Sequence, residues 1–319
     1  MEKILIFGGS RFHGYQLAQS LSKTGNEVNV LNRGNFRSEY PLGINLIKAD
    51  RNDPASLKTA LLKKEFSAVI DNSCYTPNQM RISLEVLSGK FQHYVFTSTI
   101  AAYLTYASEQ KLKEEENYKS DFFPPNIKEY ALNKLAAEQV LRTSFKNNTI
   151  LRVPNVFGEG DFLGKLFFFD QRISQGRKIL LEKEVDKFSL VYVKDLVKIM
   201  QETVLNEKCI NKTINIADTA PHSYVDFFSS VYKNFSLGSL LLIPAKDLWE
   251  KGYFPLFPWM PELDCSLQNK IFVPSFTPIK DWAPKTLEWE IEYFKTHIHK
   301  GGLIGELEDK LTCVKCLKT

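Results

Sequence analysis

The chain has 319 residues, of which 44% are hydrophobic and 24% charged, a composition typical of a globular protein with a full-sized core. Its 41 Lys and Arg residues exceed its 37 Asp and Glu residues by only four, so charge does not predict nucleic-acid binding. No stretch approaches the roughly 18 consecutive apolar residues of a membrane span. Five dispersed cysteines and a short first apolar run predict reduced thiols, no signal peptide and a cytoplasmic location.

Short apolar runs alternate with helical patterns along the first half of the chain. The sequence predicts strands at residues 3–7, 27–31, 44–48, 68–70, 93–97 and 149–152, and helices at 15–23, 56–64, 79–87 and 129–145. This alternation predicts an α/β fold with a Rossmann-type doubly wound parallel sheet, covered by helices on both faces. Such sheets bind ligands beyond the carboxyl ends of their strands, so we expect the site in those loops.

A glycine turn follows the first predicted strand and opens the first predicted helix. A strand, a glycine turn and a helix in this order offer backbone N–H groups and the positive end of a helix to a pyrophosphate. The alternative is a tight turn without a ligand. We expect this turn to bind a dinucleotide through Gly8, Ser10, Arg11, Phe12 and Gly14.

The end of the second predicted strand favours one dinucleotide over the other. Dinucleotide sites commonly carry an Asp or Glu about 20 residues beyond the glycine turn, where it binds the adenosine ribose. This chain has Asn32 and Arg33 instead. Without the carboxylate, the forked guanidinium of Arg33 favours a 2′-phosphate, and Arg11 adds a second cation. We therefore expect NADP, with NAD as the alternative; the other interpretation of Arg33 is a surface cation.

A tyrosine and a lysine at the start of the long helix form a candidate acid/base pair. Tyr130 and Lys134 stand four residues apart and so share one helix face. A phenol is a poor base at neutral pH, and a neighbouring ammonium favours the phenolate. The hydroxyl triplet Thr97-Ser98-Thr99 ends the adjacent strand and supplies a further donor. We therefore expect Thr99, Tyr130 and Lys134 to be catalytic.

These motifs together resemble the extended short-chain dehydrogenase/reductases, which include nucleotide-sugar epimerases, dehydratases and reductases. The glycine turn fits an atypical Gly-Gly-x-x-x-x-Gly subgroup, and residues 130–138 resemble the catalytic Tyr-x-x-x-Lys helix with its trailing Glu. Thr99 falls where that group places its catalytic Ser or Thr, two residues beyond the predicted strand end. The resemblance extends to about residue 298.

The resemblance implies further site residues. Asp50 falls where the group holds adenine, and the segment 151–158 resembles a strand with nicotinamide and substrate contacts, which makes Pro154 and Val156 cofactor residues. Asp195 lies in a later motif, where we expect it to cap a helix. Further candidates are Arg51 and Asn72 for the cofactor, and Asn155 and Lys187 for the substrate.

The chain also departs from the group's pattern. Arg11 replaces the middle glycine of the extended turn, and Asn32 replaces the usual acid. Thr99 is followed by Ile100-Ala101 rather than by the Asp-Glu pair that sugar 4,6-dehydratases use for elimination, which disfavours dehydration. Lys187 is the cation nearest to the place where epimerases carry a diphosphate-binding Arg.

Domain organisation follows from the loss of alternation after Pro154. We expect a dinucleotide-binding domain over 1–154, a smaller substrate lobe over 155–298 with segments that return to the first domain, and a tail over 299–319. The aromatic cluster at 253–259 either lines a substrate cleft or forms a satellite core. Cys313 and Cys316, even with two preceding histidines, predict a surface tail rather than a zinc site, so we expect no metal.

The sequence therefore predicts an NADP-dependent oxidoreductase or epimerase that acts on a carbonyl/alcohol pair of a sugar or nucleotide-sugar-like small molecule. The resemblance also suggests a homodimer through the catalytic-helix region, and we expect neither a membrane nor a nucleic-acid partner. The alternative is a catalytically retired reductase fold that serves as a nucleotide-sensing or RNA-binding module.

Overall fold

A computed structural model describes residues 1–35, 40–41, 43–105, 111–115, 123–185, 187–251 and 261–297. The strands are β1 (Lys3–Phe7), β2 (Glu27–Asn32), β3 (Ile44–Lys48), β4 (Phe66–Asp71), β5 (Phe91–Thr99), β6 (Asn148–Val153), β7 (Asn155–Phe157), β8 (Ile179–Glu182), β9 (Leu190–Tyr192), β10 (Lys212–Asn215) and β11 (Leu240–Ile243). The α-helices are α1 (Phe12–Lys23), α2 (Pro54–Ala60), α3 (Pro77–Val86), α4 (Pro125–Ser144), α5 (Lys165–Ser174), α6 (Val193–Thr203), α7 (Tyr224–Val231), α8 (Ala245–Glu250), α9 (Ser266–Phe272) and α10 (Ile279–Thr296). Three short 3₁₀ helices span Ile100–Tyr103, Glu207–Cys209 and Leu237–Ser239.

Seven strands form one parallel sheet in the order β10-β6-β5-β4-β1-β2-β3. The strand order reverses between β1 and β4, so the connections leave in opposite directions there and open a crevice at the carboxyl ends. The α/β fold with a doubly wound parallel sheet is confirmed. Two smaller parallel pairs, β7 with β9 and β8 with β11, lie outside this sheet.

The core has two layers because β1 buries side chains on both faces of the sheet. Ile4 and Ile6 point to one face and pack in a cluster with Leu17 of α1. Leu5 and Phe7 point to the other face and pack in a second cluster, which includes residues of α3 and α4. A strand alternates its side chains between faces, so a continuous apolar run suits a sheet covered on both sides.

Several element boundaries differ from the prediction. β5 runs on to Thr99, which pairs with Val153 of β6, so Thr99 ends the strand rather than following it. α2 stops at Ala60 instead of residue 64, since Lys63 has a φ of 57° and leaves the helical region. α4 begins four residues before the predicted start, with Pro125 in the first turn, where a missing N–H costs nothing.

Asp195 does not cap α6, so that prediction is wrong. The helix begins at Val193, and Asp195 is buried in its first turn. Its carboxylate accepts hydrogen bonds from the backbone N–H of Thr277 at 2.7 Å and from the Thr277 hydroxyl at 3.1 Å. Asp195 therefore fastens the segment before α10 to α6.

Some predicted features lie outside the described residues: the aromatic cluster at 253–259, the tail 299–319, and Cys313 with Cys316. Within the described ranges, no helix has the length and hydrophobicity that a bilayer-spanning segment needs. No group of three or more His, Cys, Asp or Glu side chains in those ranges is arranged to hold a metal ion.

Candidate active site

A cleft of about 740 Å³ lies at the carboxyl ends of the central strands, beside the reversal in strand order. It runs from the end of β2 past the glycine turn to the start of α4. The residues predicted for the adenosine ribose, the pyrophosphate and catalysis therefore share one cleft. The predicted site residues that line it are Gly8, Ser10, Arg11, Phe12, Asn32, Arg33, Asp50, Arg51, Asn72, Thr99, Tyr130, Lys134, Pro154, Asn155 and Val156.

The glycine turn is closed too tightly for side chains. A Cβ on Gly14 would lie 2.1 Å from the carbonyl oxygen of Gly8, and Gly8 itself has a φ of 76°. Gly14 is buried and does not line the cleft, and its lack of a side chain lets the turn close against Gly8. Phe12, the first residue of α1, has a φ of 45°, a strained conformation for a bulky residue that is typical of functional turns.

The outer end of the cleft is formed by the end of β2. Asn32 donates from Nδ2 to the hydroxyl of Ser10 at 2.6 Å and accepts at Oδ1 from the N–H of Gly34 at 2.7 Å. Its side chain is therefore fixed between β2 and the glycine turn. Arg33 is exposed beside it, and the Arg11 guanidinium stacks 5.0 Å from the ring centre of Phe162. This end of the cleft thus presents two guanidinium groups.

The terminal nitrogens of Arg51 form a buried ion pair and are not available to a ligand. Its Nη1 and Nη2 bind the two carboxylate oxygens of Asp71 at 2.7 and 2.9 Å, and they also contact the hydroxyls of Ser73 and Ser83. The guanidinium, acting against burial, lowers the pKa of the Asp71 carboxyl. The predicted cofactor role of Arg51 is therefore limited to Nε, which is buried and without a partner among the described residues.

Thr99 and Tyr130 meet at the inner end of the cleft. Desolvation raises the pKa of the Tyr130 phenol to about 12 and outweighs the effect of the neighbouring Thr99 side chain, which acts to lower it. The residue as a whole is 38% exposed and lines the cleft. Tyr130 is therefore a protonated phenol at neutral pH, suited to donating a proton.

Lys134 lies one helical turn further on, where backbone carbonyls hold its ammonium. Its ammonium donates to the carbonyl oxygens of Thr97 at 2.7 Å and Cys74 at 2.9 Å, and it lies 4.2 Å from the Phe96 ring centre. These contacts hold the charge against the ends of β4 and β5, and it is not among the groups that shift the Tyr130 pKa. Burial lowers the pKa of Lys134 to about 8.

The wall facing α4 comes from the segment after β6. Pro154, Asn155 and Val156 line the cleft, and the carbonyl of Val156 accepts a hydrogen bond from Lys165 at 2.7 Å. Lys165 also pairs with Asp161, and both side chains are almost fully buried. Lys187 is exposed and does not line the cleft, so its predicted substrate contact is not supported.

Sequence reasoning missed three residues at this end. Asp161 and Lys165 stand four apart, a spacing that could have signalled the pair, but no strand or glycine motif marked them. Tyr75 was overlooked because nothing in the sequence places it beside α4. Its ring centre lies 6.3 Å from that of Tyr130, and 51% of the residue is exposed at the cleft.

The described residues fit a dinucleotide by two observations. First, the glycine turn has no room for a Cβ, so its backbone is not covered by side chains. Second, several polar atoms along the cleft are buried and have no hydrogen-bond partner among the described residues. These atoms are Nε of Arg51, Nδ2 of Asn72 and both ring nitrogens of His13. Asn72 is oriented by the Thr97 hydroxyl, which donates to its Oδ1 at 2.6 Å. A ligand with several polar groups would satisfy such atoms.

More than half of the chain, residues 4–217, matches the profile of the NAD dependent epimerase/dehydratase family. The chain belongs to this family. The matched residues include the glycine turn, Thr99, and the pair Tyr130 and Lys134.

Two similar curated proteins have names that indicate different functions. The chloroplast stem-loop binding protein of 41 kDa b of Arabidopsis thaliana is 27% identical over 247 residues, which are 71% of this chain and 60% of that protein. The 2′-dehydrokanamycin reductase of Streptomyces kanamyceticus is 21% identical over 239 residues, 72% of this chain and 66% of that protein. The chain therefore spans less than two thirds of either relative.

Solved structures share the fold at low sequence identity. The dTDP-glucose 4,6-dehydratase of Bacillus anthracis in complex with NAD has a TM-score of 0.72 at 12% identity and covers 93% of this chain and 98% of its own. WbmG of Bordetella bronchiseptica in complex with NAD has a TM-score of 0.73 at 18% identity and covers 92% and 94%. These likenesses agree with the doubly wound architecture of this chain.

Proposed function

We propose that this family member is an NADP-dependent oxidoreductase that interconverts a carbonyl and an alcohol on a sugar or nucleotide-sugar-like substrate. The observation that carries the proposal is that Thr99 and Tyr130 line the inner end of the same cleft of about 740 Å³ that the glycine turn lines further out. Reduction is the direction that we propose, because a tyrosine phenol is protonated at neutral pH and can donate that proton to a carbonyl oxygen.

Each of the three side chains has a distinct role in reduction. The reduced nicotinamide, when bound, supplies a hydride to the carbonyl carbon. Tyr130 donates its phenolic proton to the carbonyl oxygen, which becomes the hydroxyl of the product, and the resulting phenolate regains a proton from water. Thr99 donates a hydrogen bond to the same oxygen and stabilises its developing charge. Lys134 has two of its three N–H donors on backbone carbonyls and uses the third to hold a ribose hydroxyl.

Elimination of water is not supported by the groups around Thr99. Ile100 and Ala101 follow it in a 3₁₀ helix, and both are buried apolar residues. Asp161, a carboxylate that lines the same end of the cleft, is paired with Lys165. The described wall therefore offers the Tyr130 phenol, rather than an acid–base carboxylate pair, to the substrate carbon chain.

The preference for NADP follows from the charges at the outer end of the cleft. The side chain at the end of β2 is a carboxamide, Asn32, already bound to Ser10 and to the N–H of Gly34. Arg33 and Arg11 line the cleft beside it and can form charge-assisted hydrogen bonds with a 2′-phosphate.

A carbonyl panel tests the proposed reaction. Sugars and nucleotide-linked sugars that carry a keto group are mixed with NADPH and the absorbance of the reduced nicotinamide is followed, with Tyr130→Phe as the inactive control. Net oxidation of NADPH by the wild type supports reduction. Interconversion of sugar stereoisomers without net oxidation indicates an epimerase, in which the same residues act twice, and no turnover with any substrate contradicts the proposal.

The competing function is RNA binding by a reductase fold that has lost its catalytic activity, and it is favoured by the similarity to the Arabidopsis stem-loop binding protein. It requires that the chain bind a stem-loop RNA with a steep salt dependence, as phosphate contacts do. Such binding, together with no turnover on the carbonyl panel, would favour it over the oxidoreductase.

A further inference from the structure

His13 is a polar side chain in the cleft wall that none of the roles above uses. It follows Phe12 in the first turn of α1, inside the glycine turn, and lines the cleft. Both ring nitrogens are shielded from solvent and have no hydrogen-bond partner among the described residues. Leaving a buried polar group unsatisfied costs about 1–3 kcal/mol, so a buried imidazole in this state is suited to a ligand.

The surroundings of His13 place it toward the inner end of the cleft. The ammonium of Lys165, on the facing wall, lies 5.7 Å from the ring centre of the neighbouring Phe12, and the charges of Lys134, Asp161 and Lys165 act on the pKa of His13 after the larger effect of burial. The ring also contacts that of Phe12 edge-on, with 5.7 Å between centres. His13 therefore lies among residues of the Tyr130 end, rather than beside Arg33 and Asp50 at the outer end.

The charge state of His13 limits the groups that it can bind. Burial and the two lysines lower its pKa to about 4, so the imidazole is neutral at pH 7. A neutral imidazole presents one N–H donor and one nitrogen acceptor on opposite sides of a planar ring. At that pH a phosphate of the dinucleotide only accepts hydrogen bonds, so it could bind only the N–H side of the ring. A primary carboxamide both accepts and donates, so it can bind either ring nitrogen.

We propose that His13 binds the carboxamide of the nicotinamide ring and so orients the ring toward Tyr130 and Thr99. The proposal rests on the proposed dinucleotide function and assigns His13 as a positioning residue. It gives a partner to one ring nitrogen of a buried imidazole whose two nitrogens have none among the described residues.

Calorimetric titration with three ligands tests this assignment. They are the dinucleotide that the wild type binds more tightly, its 3-acetylpyridine analogue, in which a methyl group replaces the amide NH₂, and the matching ADP-ribose without nicotinamide. The wild type should bind the dinucleotide roughly 5- to 10-fold more tightly than the analogue, the value of the one neutral hydrogen bond that the amide NH₂ donates. His13→Leu should abolish this preference and leave the affinity for the ADP-ribose unchanged.

Two further variants sharpen the result. His13→Gln keeps a donor and an acceptor and should retain part of the preference. His222→Leu removes a histidine that does not line the cleft, and should change none of the three affinities. If His13→Leu weakens the binding of ADP-ribose as much as that of the dinucleotide, the imidazole contacts the pyrophosphate instead. If it changes none of the three affinities, the imidazole contacts no part of the ligand. Either result overturns the assignment. If the wild type binds no dinucleotide, the proposed function fails as well.

Discussion

The buried pair of Arg51 and Asp71 makes a large and specific stability prediction. Asp71 is fully buried and accepts hydrogen bonds from both terminal nitrogens of Arg51, from the Tyr94 hydroxyl at 2.7 Å and from the N–H of Ser73 at 3.1 Å. Arg51→Met would leave this carboxylate without its counter-charge. Breaking a buried pair by removing one partner costs about 3–5 kcal/mol. We expect the free energy of unfolding in urea to fall by that amount at pH 7.

An exposed ion pair in the same domain is the matched control. Lys58 and Glu85 lie 3.0 Å apart, but their side chains are 58% and 69% exposed. Lys58→Met should therefore cost about 1 kcal/mol or less. The double variant Arg51→Met/Asp71→Asn removes the uncompensated charge while keeping an acceptor for Tyr94, so it should be more stable than Arg51→Met alone.

The pH dependence has a defined sign. Arg51 lowers the folded-state pKa of Asp71, so this pair stabilises the protein above the unfolded pKa of about 3.9 and the contribution is lost as the pH falls through the folded pKa. The stability gap between wild type and Arg51→Met should thus be widest at neutral pH and narrow in acid. A cost equal to that of Lys58→Met, or a gap independent of pH, would refute the reasoning.

Three further predictions address the cap on α5, the choice of dinucleotide and the buried lysine. Glu290 is buried and accepts a hydrogen bond from the N–H of Phe167 in α5 at 2.7 Å, and burial raises its pKa to about 8, so its ionisation destabilises the fold as the pH rises from about 4.5 to 8. In urea unfolding, Glu290→Gln should be about 1–3 kcal/mol more stable than the wild type at pH 8 and equal to it at pH 5. Equal stability at both pH values would contradict this prediction. Arg33→Ala should weaken NADPH binding roughly tenfold or more in a fluorescence titration and leave NADH binding unchanged, whereas equal losses for both would show that Arg33 does not contact a 2′-phosphate. Burial lowers the pKa of Lys134 to about 8, so between about pH 8 and 10 this side chain is protonated in the unfolded chain and largely deprotonated in the folded one. The free energy of unfolding of the wild type should therefore rise with pH over that range, and Lys134→Met should lack this rise. The same pH dependence in both proteins would argue against a buried ammonium.

Local patterns allowed most of the sheet to be predicted. The run from Lys3 to Phe7 is apolar at every position but the first, and the glycines directly after it can belong only to a turn. Helix starts were harder, because α4 begins at Pro125 in a segment without apolar periodicity. Thr99 was placed beyond its strand, since pairing with Val153 is a contact between distant segments that no local pattern shows.

The site residues were less predictable wherever a partner comes from another element. The ion pair of Arg51 and Asp71 joins the turn after β3 to the end of β4, 20 residues further along the chain, so the sequence alone left the guanidinium available for a cofactor. The shared helix face of Tyr130 and Lys134 was predictable, whereas the carbonyls of Cys74 and Thr97 that hold the Lys134 ammonium come from other elements. Spacing along a helix determines which residues share a face, and neighbouring elements determine what each side chain binds.

Calorimetric titration of the wild-type protein with NADPH and NADH tests the central claim most directly. The cleft between the glycine turn and Tyr130 should bind one dinucleotide per chain, with NADPH the tighter ligand, and Tyr130→Phe should bind it equally well while losing roughly 100-fold or more in turnover. Failure of both dinucleotides to bind would contradict the account, as would full turnover by Tyr130→Phe.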